Sequence, residues 1–136
     1  GSILHSFFRS STGLGSIYHA WSDLEYDEEI WTEPKPTSLP NPNSGMDTVL
    51  IGDRLFVCSN PSATHRWPLV VDEISMLEYY ETGEFNVKDT LVITEELEKT
   101  YTNRELSYPY MVENNGKLHI VYTHCRKQIE YVEVEV

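Results

Sequence analysis

The sequence predicts an all-β fold, a partial β-propeller of about two and a half four-stranded blades. Three observations predict it. Residues 47–60 and 110–123 each read as a short apolar strand, a glycine-containing turn and a second apolar strand. Each is followed by a loop carrying an arginine, Arg66 or Arg126, and by a third apolar run, 69–74 or 129–136. Residues 3–21 match only the later strands of that pattern, with Arg9, Gly13 and Gly15 in the loop between them. Antiparallel units of this kind cannot bury their faces alone and are stable only when stacked on neighbours.

Taken in order, the first unit spans residues 3–33. It has strands at 3–8 and 17–21 and an outer strand at 28–33. Residues 31–42 hold Pro34, Pro36, Pro40 and Pro42, and read as an extended loop crossing between units. The second unit spans 47–93 and ends in an outer strand at 85–93. Thr94 is placed to cap one helical turn over 94–100, with Glu95 and Glu96 in its first turn. The third unit spans 107–136, and Asn114, Asn115 and Gly116 form its hairpin turn because Asn and Gly tolerate positive φ. This unit stops at its third strand. In a closed propeller the N-terminal part of the chain supplies the fourth, so the expected partner is a set of missing N-terminal blades. Without them, unpaired strand edges favour aggregation or oligomerisation.

Composition narrows the function. The 136 residues are 40% hydrophobic and 12% aromatic, enough for a core. Lys+Arg 10 against Asp+Glu 22 gives a net charge of −12. A nucleic-acid binder needs a basic face, and none is visible. The acidity also disfavours an anionic ligand unless a few arginines are concentrated locally. No apolar run reaches membrane-spanning length and no signal peptide is visible, so no membrane partner is expected and localisation stays open. Five scattered histidines lack metal-ligand spacing, so neither metal nor cofactor is expected. The acidic stretch 23–29 lacks the alternating Asp loop with its glycine and reads as a solvated turn rather than a calcium loop. Cys58 and Cys125 fit either free thiols or a disulfide between neighbouring blades.

Five short runs then carry a resemblance. They are 41–45 (Asn-Pro-Asn-Ser-Gly), 58–62 (Cys-Ser-Asn-Pro-Ser), 66–69 (Arg-Trp-Pro-Leu), 107–109 (Ser-Tyr-Pro) and 121–123 (Val-Tyr-Thr) with Arg126. In this order and spacing the chain resembles the C-terminal half of a six-bladed, sialidase-like propeller with BNR-type (Asp-box) repeats. The Asp box, roughly Ser-X-Asp-X-Gly-X-X-Trp, survives only as a relic at 22–31, and less from Ser75 onward. The resemblance implies a glycoside hydrolase acting on a glycan with a terminal acidic sugar. Such enzymes grip the sugar carboxylate with three arginines, because guanidinium pairs with carboxylate bidentately and stays charged. They use a tyrosine nucleophile, since a carboxylate would be repelled by the substrate. By position, Arg9 resembles the second arginine of that triad, Arg66 the third, and Tyr108 the nucleophile. Asn43 and Ser44 resemble a polar substrate-lining loop, and Trp67 is placed to stack on a sugar face. The first arginine, the acid/base and the tyrosine's carboxylate partner would precede residue 1, so the chain alone is expected to be inactive.

Each residue also has a plainer reading. Arg9 and Arg66 fit surface loop arginines, Arg66 the more so because Arg126 occupies the same repeat position. Tyr108 fits a buried aromatic that locks a strand start. Trp67 fits a packing residue, and Asn43 and Ser44 fit turn caps. The alternative to a hydrolase is a non-catalytic propeller that binds a glycan or a protein.

Overall fold

The computed structural model of the protein describes residues 2–26, 30–95 and 103–136. These residues form three antiparallel sheets and one short helix. The first sheet joins β1 (Ile3–Phe8), β2 (Ser16–Asp23) and β3 (Lys35–Pro40) in that order. The second joins β4 (Asp47–Ile51), β5 (Arg54–Ser59), β6 (Leu69–Ser75) and β7 (Val87–Thr94), with helix α1 (Met76–Thr82) between β6 and β7. The third joins β8 (Leu106–Asn114), β9 (Lys117–His124) and β10 (Gln128–Glu135).

Strand alternation explains how the sheets stack. Successive side chains point to opposite faces, and β5 is apolar on both. Its Leu55 and Val57 pack with Ile17 and Leu39 of the first sheet and with Ile74, Met76 and Phe85. Its Phe56 and Cys58 pack with Leu69 and Val71 and with Leu106, Met111, Leu118, Ile120 and Tyr122 of the third sheet. The second sheet is therefore covered on both faces. Each aliphatic side chain so buried contributes about 1.5–3 kcal/mol. Asp47 ties the second sheet to the third, its Oδ2 accepting the Met111 N–H at 2.6 Å.

Three expectations need correction. The proline-rich stretch is not only a crossing loop, because Lys35–Pro40 is the strand β3, paired with β2 through Tyr18 with Pro36 and Ser16 with Pro40. Proline lacks the N–H of a central strand but is tolerated at an edge, and β3 is an edge of its sheet. The Thr37 hydroxyl adds a bond to the Ile17 carbonyl at 2.7 Å. β3 thus takes the place expected of an outer strand at 28–33. Of that stretch, residues 28 and 29 lie outside the described residues, and Trp31 makes one isolated bridge to Ser22. Second, the stretch after Ser75 is the helix α1. Ser75 caps it by accepting the Glu78 N–H, and Gly83 ends it in the left-handed region at φ 76. Third, Thr94 is the last residue of β7 rather than a helix cap, and residues 96–100 of the expected helical turn lie outside the described residues. The outer strand expected at 85–93 is β7, with Phe85 left in the core. Both cysteines are buried free thiols.

Candidate functional site

Loops at one end of the sheets carry the candidate residues. Arg9 follows β1. Asn43, Ser44 and Gly45 lie between β3 and β4. Arg66 lies between β5 and β6, and Arg126 in the turn between β9 and β10. Tyr108 sits near the start of β8, where pairing with β9 shifts register between Ser107 and Tyr110. Its φ is 54, which costs a non-glycine residue on the order of 1–3 kcal/mol. The irregularity turns the ring outward, leaving Tyr108 50% exposed between buried Ser107 and buried Pro109. It is not the buried aromatic of the plainer reading.

Arg9, Arg66 and Tyr108 come together. Hydrogen bonding from Arg66 and then Arg9, reinforced by their charges, holds the Tyr108 hydroxyl below the usual phenol range. The Arg66 guanidinium also lies 5.9 Å from the centre of the Tyr108 ring. Gly45 leaves room for that ring, since a Cβ there would stand 2.9 Å from Tyr108 Cδ1.

Arg66 is held from three sides. Its Nη1 donates to Glu105 Oε2 at 2.9 Å and its Nη2 to the Asn43 carbonyl at 2.8 Å. Burial works against its charge, but the bonds to Tyr108 and Glu105 prevail and raise its pKa. Glu105, almost buried, also accepts from Arg126 Nε. The repeat-equivalent arginines 66 and 126 thus grip one carboxylate. Backbone bonds from Leu106 N–H to the Arg66 carbonyl at 2.8 Å, and from Cys125 N–H to the Glu105 carbonyl at 2.7 Å, fix the three loops together.

A buried polar network joins these loops. Asn60 is fully buried. Its Nδ2 donates to the carbonyls of Pro68 at 2.8 Å and Leu106 at 2.9 Å, and its Oδ1 accepts from Ser44 Oγ at 2.8 Å. Asn41, equally buried, accepts the N–H groups of Asn43 at 2.9 Å and Ser44 at 3.2 Å. Its own N–H reaches the Gly15 carbonyl at 2.9 Å, joining this loop to the one that carries Arg9. Buried amides fully bonded in this way specify one loop geometry.

The sequence-predicted residues divide accordingly. Ser44 is buried and spends its hydroxyl on Asn60, so it braces the loop. Asn43, at φ 64, contributes its carbonyl to Arg66 and its side-chain amide to Thr12. The Trp67 ring stacks on His65 at 4.4 Å, with the Arg104 guanidinium 5.0 Å from its centre. Sequence reasoning gave no role to Asn41, Asn60, Arg104 or Glu105. The two asparagines stood inside quoted motifs, so a signal existed for them. Glu105 had none, because its partners are 39 and 21 residues away. Among the described residues no group of His, Cys, Asp and Glu is arranged to hold a metal ion, and no helix is long and apolar enough to cross a membrane.

No curated protein and no solved structure matches the chain. The family model for the BNR repeat-like domain matches residues 2–120. Its span takes in all of the first two sheets, the loops carrying Arg9 and Arg66, and Tyr108. With three stacked antiparallel sheets behind that match, the chain belongs to the BNR repeat-like domain family.

Proposed function

We propose that this chain is part of a sialidase-like propeller and carries one side of a site for a terminal acidic sugar, cleaved at its glycosidic bond. The observation that carries the reading is the grouping of Tyr108 with Arg66, whose guanidinium lies 5.9 Å from the ring centre, and with Arg9, the two arginines lowering the pKa of its hydroxyl. Two guanidiniums suit a sugar carboxylate. The same two charges favour the phenolate of Tyr108, whose oxygen would attack the anomeric carbon as the leaving oxygen departs. The acid/base for that oxygen and a third arginine would come from further blades, which would also cover the open edge of β1.

The test is hydrolysis of a fluorogenic sialoside by the intact protein, with Tyr108→Phe alongside. Turnover that collapses by more than about 100-fold in the variant is the expected result. An unchanged rate in Tyr108→Phe would sink the nucleophile.

A second reading, a glycan-binding module without catalysis, is favoured by one observation. Glu105, the carboxylate bonded to Arg66, has both oxygens committed to guanidiniums, Oε2 to Arg66 and Oε1 to Arg126, and so is not free to act as a base for Tyr108. Calorimetric binding of an acidic sugar without turnover by the intact protein would select this reading.

A further inference from the structure

We propose that the cleft beside Arg66 is a second anionic subsite, so that the ligand is a saccharide with two acidic groups. The second group is a carboxylate or sulfate oxyanion on the sugar next to the one held by Arg9 and Arg66. The inference rests on the acidic-sugar reading of Arg9, Arg66 and Tyr108, and names the substrate class for that site.

Charge placement motivates it. The chain has a net charge of −12, with 22 acids against 10 bases. Yet of its arginines (Arg9, Arg54, Arg66, Arg104 and Arg126) all but Arg54 gather at the loop end. A cleft of about 320 Å³ there is lined by Arg66, Arg104 and Arg126 together with Trp67 and Glu105. Among the described lining residues, Glu105 is the one carboxylate set against three guanidiniums. Had these arginines served only to balance surface acids, a chain this acidic would offer each its own partner. Among the described lining residues the positive charge is left in excess, which favours a local concentration of anions.

The arginines are also oriented before any ligand arrives. Arg126 is anchored through Nε to Glu105 while its side chain stays 57% exposed. Its turn holds two successive left-handed non-glycine residues, Cys125 at φ 52 and Arg126 at φ 56, a strained backbone of the kind retained at ligand-binding positions. Arg104 rests on the Trp67 ring, and a guanidinium held on an aromatic face keeps the edge geometry that pairs bidentately with an oxyanion. Arg66 belongs to both halves, facing Tyr108 on one side and lining the cleft on the other. Two acidic groups on adjoining sugars would therefore be gripped on either side of one arginine.

The experiment is calorimetric titration of the intact protein with four probes. N-acetylneuraminic acid and sialyl-lactose carry one acidic group. The α2,8-linked dimer of N-acetylneuraminic acid carries a second carboxylate, and sialyl-lactose sulfated on galactose carries a sulfate. The variants are Arg104→Gln with Arg126→Gln, and Arg126→Lys. At least one two-charge probe should bind roughly tenfold tighter than its one-charge counterpart, the worth of one charge-assisted pair. The double variant should bind one- and two-charge probes alike, whatever its loss of affinity for both, and Arg126→Lys should retain part of the preference. Whichever two-charge probe gains identifies the oxyanion. Equal binding of one- and two-charge probes by the unmodified protein overturns the subsite and leaves the acidic-sugar reading standing. So does an equal fold-loss for all probes, with the preference kept, in a double variant that melts normally. Failure of every probe to bind removes the underlying reading, and the subsite with it.

Discussion

Replacing Asn60 with alanine should loosen the whole loop end of the protein. Asn60 makes three hydrogen bonds from a fully buried position, to Pro68, Leu106 and Ser44. Each is worth about 1 kcal/mol net, and the partners left behind are themselves deprived of a bond. The sum is about 3 kcal/mol, a large share of the 5–15 kcal/mol by which a domain is usually stable. Asn60→Asp should be at least as damaging at neutral pH, because it sets a carboxylate against two carbonyl oxygens in a buried site. Urea unfolding of the intact protein, followed by tryptophan fluorescence, reads both as a lower midpoint with unchanged slope. A loss under about 1 kcal/mol for Asn60→Ala, or a milder effect for Asn60→Asp, would refute the view that this side chain pins the three loops.

Three other perturbations follow from the geometry. His19 has a pKa lowered to about 4, first by burial and then by the charge of His5, with which it shares a 3.0 Å ring-nitrogen contact. Below its free value of 6.5 the unfolded chain takes up the proton first, so stability should fall as pH drops from 6.5 through about 4. The full loss is on the order of 3 kcal/mol, shared with His5 because the pair titrates together. A His19→Gln protein whose midpoint tracks the unmodified one across that window would count against it. Gly45→Ala should displace the Tyr108 ring, with which the new methyl would overlap. The expected result is weakened ligand binding with melting little changed, and unchanged affinity would show that the ring position is unimportant. Ser75→Ala should cost about 1 kcal/mol by removing the cap of α1, and an unaffected urea midpoint would mean that tertiary packing alone holds the helix.

What the sequence determined by itself is whatever is written locally. Apolar runs marked β1, β2, β4, β5, β6, β7, β8, β9 and β10, because strand periodicity is a short-range property. The turn at Asn115 and Gly116 was legible because positive φ, here 52 and 75, selects those residue types. The helix α1 was missed, because the stretch from Ser75 onward was read as a relic motif, although Ser75, Glu78 and Gly83 carried a cap signal. β3 was not legible, since its prolines argue for loop until the edge position that tolerates them is known. For the site, spacing and resemblance singled out Arg9, Arg66 and Tyr108 one at a time. That they meet, that Ser44 turns inward to Asn60, and that Arg66 and Arg126 close on Glu105, was decided only by the tertiary structure. Those contacts join loops from different sheets, and a hydrogen bond between side chains 16 to 39 residues apart leaves no trace in local pattern.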